Sequence, residues 1–336
     1  GMKFGLWFEP EMVNKDSDLY RAHPDWILKT PQRRVSHGRN QYVLDFSRKE
    51  VVDHIYKMME KILSQAKVSY IKWDMNRSIT ECYSSALPAD RQGEIYHRYI
   101  LGVYDLYERL TDKFPEILFE SCASGGGRFD PGLLYYAPQG WASDDSDAVE
   151  RLKIQYGTSM CYPISSIGSH VSVVPNHQVA RVTPFHTRAN VAYFGTFGYE
   201  LDLNQLPDRM IDKVKEQIIF MKEYREVLQF GDFYRLKSPF QSNETVWMSV
   251  SKDQKTALVG WYRILNGVNM PFSRVQLLGL NPDFLYVNSQ DGNEYYGDEL
   301  MNLGLLTSDE TAGSGPVDGK YTSDFESRIY VLKAKD

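Results

Sequence analysis

Two aspartates at the ends of expected strands have neighbours that suit bond-breaking chemistry. In Tyr70-Ile71-Lys72-Trp73-Asp74-Met75-Asn76, strand alternation puts Lys72 and Asp74 on one face, about 6–7 Å apart along the strand. A cation at that range favours the ionised carboxylate, the state a glycosidase nucleophile requires. A strand-end salt bridge accounts for the same residues. In Trp141-Ala142-Ser143-Asp144-Asp145-Ser146-Asp147, three carboxylates crowd into four positions. Their repulsion favours one raised-pKa member, which could serve as a general acid. Asp145, Ser146 or Asp147 could equally cap the helix that follows.

Between these lies Glu120-Ser121-Cys122-Ala123-Ser124-Gly125-Gly126-Gly127-Arg128-Phe129-Asp130-Pro131. Three glycines after a strand let backbone approach a ligand closely. A phosphate loop fits poorly: no Walker pattern is present, and Arg-Phe-Asp-Pro is not expected to open the helix that a dinucleotide fingerprint needs. A loop cradling a sugar fits better, and a simple turn cluster also remains open. Trp7, at the end of Gly5-Leu6-Trp7-Phe8, could be a stacking platform or a core residue. Arg39 could grip ligand hydroxyls or be a solvated surface side chain.

These residues must be carried by ordered elements, and the composition supports that. The 336 residues are 42% hydrophobic and 24% charged, with a net charge of −6. That excludes a disordered chain, a collagen or a rod, and it disfavours nucleic acid or an anionic membrane as partner. Aromatic residues reach 13%, which suits either ring stacking on sugars or a well-filled core. Three widely spaced cysteines, Cys82, Cys122 and Cys161, predict neither a disulfide framework nor a zinc site. No metal ligand motif occurs among the histidines, and His170 and His177 read as structural. No membrane-length apolar run or signal pattern is seen, so a cytoplasmic location is expected.

Up to about residue 230 the pattern alternates strand and helix. Strands are expected at Lys3–Phe8, Gln41–Phe46, Val68–Asp74, Glu116–Cys122, Gly140–Ser143, Tyr162–Ser166 and Val191–Phe197. Helices are expected at Glu50–Gln65 (with Ser47 as a plausible cap and apolar residues at Val51, Ile55, Met58, Met59 and Ile62 in the helical period), Glu94–Leu110, Ala148–Tyr156 and Pro207–Leu228. This rhythm means a parallel sheet, open or closed into a barrel, with its site at the strand C-termini. From about Gly231 strands follow one another without helices. Val246, Met248 and Val250 alternate with Trp247 and Ser249 as in a half-buried strand. Gly313-Ser314-Gly315-Pro316 reads as a loop.

Trp-Phe-Glu-Pro-Glu-Met, Lys-Trp-Asp-Met-Asn-Arg, Glu-Ser-Cys-Ala-Ser-Gly-Gly-Gly-Arg-Phe-Asp-Pro-Gly and Ser-Asp-Asp-Ser-Asp-Ala occur in that order. Together they resemble an α-galactosidase of glycoside hydrolase family 36 over essentially the whole chain. The resemblance implies an α/β fold: a (β/α)8 TIM-type barrel over 1–230 and a C-terminal antiparallel β-sandwich domain over 231–336. It implies Asp74 as nucleophile and Asp144 as acid/base. Trp7, Arg39, Lys72, Cys122 and Gly125 would line the galactose pocket. No cofactor or metal is implied, and the partners would be α-galactoside oligosaccharides of the melibiose and raffinose type.

Relative to that family, the sequence is expected to start at barrel strand three, with six of the eight strands and without the aspartate pair that grips galactose. The expected consequence is self-association or complementation by a missing N-terminal segment, because open barrel edges invite pairing. A raffinose-synthase-like galactosyl transferase and a truncated, non-catalytic galactoside-binding or assembly fragment are the competing readings.

Overall fold

The computed structural model describes residues 1–267, 272–307 and 324–335. The expected Gly313–Pro316 loop lies outside the described residues. Compactness divides the chain into two units, Gly1–Asp144 and Asp145–Asp336.

The first unit is built on four parallel strands: β1 (Gly5–Phe8), β2 (Tyr70–Trp73), β3 (Leu118–Ser121) and β4 (Gln139–Gly140). They hydrogen-bond in that order, the nearest-neighbour sequence that strand–helix repeats produce. Helices α1 (Lys49–Gln65) and α2 (Ile95–Lys113) follow β1 and β2. Ile71 and Trp73 of β2 point into the apolar cluster these helices form, with Trp73 stacked on Tyr107 of α2 at 3.9 Å. Tyr70 and Lys72 alternate onto the other face, only partly buried.

On α1 the buried row is Val51, Val52, Ile55, Met59 and Leu63, while Met58 and Ile62 are exposed. The inward stripe thus follows a four-residue spacing. Ser47 does not cap this helix. Arg48 occupies the cap position without a side-chain bond, and the Ser47 hydroxyl donates to Asp45 at 2.5 Å. Residues Gln41–Val43 pair antiparallel with Met12–Asn14, in a small excursion outside the parallel sheet.

The second unit opens with α4 (Ala148–Thr158), the short helix α3 (Pro131–Tyr136) having preceded β4. Two parallel strands follow, β5 (Gly168–Ser172) and β6 (Thr196–Glu200), separated by α5 (Phe185–Ala192). Both strands start five or more residues later than expected. Pro163 instead opens a single 3-10 turn at Ile164–Ser166. The apolar run at Val191–Phe194 ends α5, and β6 begins just past Gly195. A short apolar run does not by itself separate buried helix from buried strand.

After α6 (Asp208–Phe230) come β7 (Asp232–Lys237), β8 (Glu244–Val250), β9 (Thr256–Arg263), β10 (Leu285–Asn288), β11 (Glu294–Tyr296) and β12 (Glu326–Ala334). They form one antiparallel sheet in the order β11-β10-β12-β9-β8-β7. In this C-terminal region the described residues add a two-residue pair, Arg274–Val275 with Leu305–Leu306. The expected C-terminal antiparallel β-domain is thus present, with one six-stranded sheet and this pair among the described residues.

Strand β8 is buried on both faces, not one. Val246, Met248 and Val250 join a core with Leu277, Leu280 and Leu300. On the opposite face Trp247 packs against Phe194, and the Ser249 hydroxyl donates to the Leu228 carbonyl. Alternation of side-chain size survives there, but both sides meet protein.

Candidate active site

Asp74 lies one residue past β2, and its main-chain N–H donates to the Phe8 carbonyl. The residue is 7% exposed. Its Oδ1 accepts the Met75 N–H at 2.8 Å. Its Oδ2 accepts the Asn76 amide at 2.6 Å and the Trp7 indole N–H at 3.3 Å. The Cys122 thiol donates as well. Burial pushes the Asp74 pKa up, but hydrogen bonds from Cys122, Asn76, Met75 and Trp7 outweigh it and hold the carboxyl below its ordinary value. Burial and the adjacent Asp74 charge push the thiol far up, so it stays a protonated donor.

Lys72 shares the face as expected, yet it does not pair with Asp74. Its ammonium sits 3.3 Å from Glu120 Oε1 and 4.6 Å from the centre of the Trp141 ring. Glu120 is opposite it in register on β3 and also accepts from the Tyr70 hydroxyl and from Gln139 at 2.9 Å. Same-face spacing in one strand is about 6–7 Å, whereas cross-strand neighbours are closer; the neighbouring strand therefore takes the cation.

The glycine loop links the ends of β3 and β4. Gly125 has φ +80, and a Cβ there would fall 2.7 Å from the Asp144 main-chain nitrogen; at Gly126 it would fall 2.3 Å from the Ala142 carbonyl oxygen. Backbone lies directly on backbone, which only glycine permits. The loop does open a short helix after all. Asp130 caps α3, its carboxylate accepting the Leu133 N–H, with Pro131 in the first turn. The glycines, however, contact protein backbone.

Asp145 and Asp147 are engaged in the start of α4. Asp145 Oδ1 accepts the Asp147 N–H at 3.0 Å. Asp147 is the N-cap, accepting from Val149 and Glu150, and it pairs with Arg181. Asp144 is exposed. The structure thus separates the capping role from the aspartate expected to do chemistry.

Trp7 is half exposed, with its indole N–H anchored on Asp74. A ring held at its edge and open on its face can stack on a pyranose. Arg39 is also exposed, and Glu9 Oε1 holds its guanidinium at 3.0 Å.

Residue-by-residue sequence reading missed two carboxylates of the first motif. Glu9 accepts from Arg39, Gln41 and Asn76. Glu11 is fully buried, and Arg128 grips it through two 2.8 Å bonds; Trp73 donates to it at 2.8 Å and the Tyr99 hydroxyl at 2.6 Å. Burial lowers the Arg128 pKa, but Glu11 more than reverses this. The only available signal was the pair of acids following a strand end.

Comparison with known proteins fits this geometry. The melibiase family profile matches residues 1–231, and the glycosyl hydrolase family 36 C-terminal domain matches residues 244–332. Alpha-galactosidase AgaA of Geobacillus stearothermophilus is 52% identical over 99% of this chain, and alpha-galactosidase Mel36A of Lactobacillus acidophilus is 49% identical over 99%. In each case the chain spans 44% of the relative's length. A crystal structure of an AgaA variant in complex with raffinose superposes with a TM-score of 0.94 at 51% identity, covering 100% of this chain and 45% of that one. The alpha-galactosidase of Lactobacillus brevis gives 0.95 at 52%, covering 99% and 44%. A maltogenic α-amylase from Thermotoga neapolitana shares only the fold, at 0.55 and 12% identity. The architecture is that of the TIM-type glycoside hydrolases with a C-terminal antiparallel β-domain. This chain belongs to glycoside hydrolase family 36.

Proposed function

We propose that the chain carries the catalytic carboxylates of a retaining α-galactosidase acting on melibiose- and raffinose-type galactosides. The observation that carries this reading is Asp74: a buried carboxylate at a strand's C-terminal end, kept ionised by donors that bear no positive charge. Such an anion keeps its full charge for an electrophile. In the proposed first step Asp144 gives its proton to the leaving oxygen while Asp74 bonds to the anomeric carbon. In the second step ionised Asp144 takes a proton from water, which releases galactose with its original α configuration. Lys72, Cys122, Gly125, Trp7 and Arg39 would line the galactose pocket. No cofactor enters the scheme.

Two further parts belong to this proposal. Residues 1–230 form the catalytic portion and 231–336 the β-domain, supported by two family profiles that meet between 231 and 244. The protein works in the cytoplasm and self-associates. Among the described residues no helix is long and apolar enough to cross a membrane.

The test is hydrolysis of 4-nitrophenyl α-galactoside by this chain and by one extended upstream to the length of its relatives, with the first-released anomer read by proton NMR. The expected result is α-galactose, with the extended chain faster by on the order of 10³-fold. That factor reflects several charge-assisted bonds to sugar hydroxyls. β-Galactose as first product, or turnover by neither chain, overturns the proposal.

A further inference from the structure

We propose that Glu9 is a positioning residue that links Arg39 to the Asp74 carboxylate through Asn76. The inference rests on the function proposed above for Asp74 and Arg39. Glu9 follows β1, and its side chain is 9% exposed. Its Oε1 accepts from Arg39 at 3.0 Å and from Asn76 at 2.5 Å, and its Oε2 accepts from Gln41 at 3.0 Å. The same Asn76 amide nitrogen donates to Asp74 Oδ2 at 2.6 Å. One NH2 group with two hydrogens therefore bridges two carboxylates, each taking one. The amide oxygen is held in turn by the Ser124 hydroxyl of the glycine loop at 3.3 Å, which fixes the amide's orientation.

The other arm holds a costly conformation. Arg39 and Asn40 have φ +53 and +60 and are closed by a 2.9 Å bond from the Gln41 N–H to the Gly38 carbonyl. Two left-handed central residues mark a type I′ turn, which strongly prefers Asn-Gly. A non-glycine residue in such a position persists only where its surroundings hold it, and such positions cluster at ligand clamps. Here Glu9 takes both the Arg39 guanidinium and the Gln41 side chain, one on each oxygen, and so grips the turn from both ends. Asp74 meets the Cys122 thiol and the Trp7 indole on its other sides, and Lys72 acts on that thiol. Glu9 reaches Asp74 only across Asn76.

The experiment compares Glu9→Ala, Glu9→Gln, Arg39→Ala and Asn76→Ala in this chain, each checked for folding by circular dichroism. The Asp74 carboxyl carbon is followed by NMR titration, a readout that needs no turnover. In Asn76→Ala it should titrate at higher pH than in the parent, because a donor to the charged form is lost. Glu9→Ala and Glu9→Gln both remove a nearby negative charge, but only Glu9→Gln keeps an acceptor for Asn76, so Asp74 should titrate at higher pH in Glu9→Ala than in Glu9→Gln. Galactose affinity, by calorimetry on the extended chain, should fall about tenfold or more in Glu9→Ala and Arg39→Ala. The double variant should be no weaker than either single one, because both remove the same contact. Equal Asp74 titrations in Glu9→Ala and Glu9→Gln overturn the proposal; where either variant does not fold, an unmoved titration in Asn76→Ala does so. Strictly additive Glu9 and Arg39 losses also overturn it. A parent that neither binds nor cleaves galactosides sinks the proposed function and leaves the titration to decide the role of Glu9.

Discussion

Trp73 and Asp74 are adjacent, and the carboxylates on either side of them solve opposite problems. Behind the strand, Glu11 is fully buried and its four hydrogen bonds include two from Arg128, so its charge is cancelled in place. In front, Asp74 is nearly as buried, yet its donors are an indole, a carboxamide, a peptide N–H and a thiol. All four stabilise the anion without neutralising it. The first arrangement ties the segment after β1, strand β2, helix α2 and the glycine loop into one body. The second leaves a charge for a substrate to meet. A buried acid paired with arginine therefore belongs to the frame, and one satisfied by dipoles is available for chemistry.

The sharpest way to break this comparison is to remove each acid. Asp74→Ala should lower kcat by on the order of 10⁴-fold or more, as for other nucleophile deletions, with a smaller effect on denaturant unfolding than Glu11→Ala. Azide should restore turnover and yield β-galactosyl azide. Unchanged turnover would refute the nucleophile assignment. Glu11→Ala should do the reverse in kind, costing about 3–5 kcal/mol of stability because Arg128 is left buried and unpaired; urea melts measure this. A loss below about 1 kcal/mol would show that the pair does not hold the frame.

A smaller effect is expected at the loop between them. Gly125→Ala imposes a left-handed backbone on a residue with a Cβ and drives that Cβ into the Asp144 nitrogen. It should cost about 1–3 kcal/mol and displace Asp144. The deficit should then be larger on substrates with poor leaving groups than on nitrophenyl galactosides, and equal deficits on both would argue against it.

The mildest test concerns acidity. The Asp74 pKa lies below its unfolded value, so ionised Asp74 adds stability above that value, about 3.9, and this is lost as pH falls through the folded pKa. Cys122→Ala removes a donor and should move the acid limb of kcat/KM to higher pH, whereas Cys122→Ser should move it less. Identical limbs in all three proteins would remove the thiol from the account.

Much of this was legible from sequence because the motifs keep their chemistry within a few residues. Asp74 at a strand end, a close backbone approach at the glycines, and a helix cap among Asp145, Ser146 and Asp147 follow from local rules, but that the glycines meet protein backbone and not a ligand does not. What was not legible depends on neighbouring strands. The expected Lys72–Asp74 pairing gave way to Glu120, which lies opposite Lys72 in register on β3. Strands β5 and β6 were misplaced because Pro163 and the end of α5 carry the apolar residues that suggested them. The second buried face of β8 comes from Phe194 and Leu228, both distant in sequence. Glu9 and Glu11 gave no separate signal, since their partners lie up to 117 residues away.

The three free cysteines differ widely in environment: Cys122 buried, Cys82 intermediate and Cys161 exposed. A thiol reacts with alkylating agents as its thiolate, and Cys122 is kept from that form by burial and by the anion it serves. Iodoacetamide or a maleimide dye should therefore tag Cys161 and pass over the thiol beside Asp74. A fluorophore could then be attached to the native sequence while the surroundings of Asp74 stay intact.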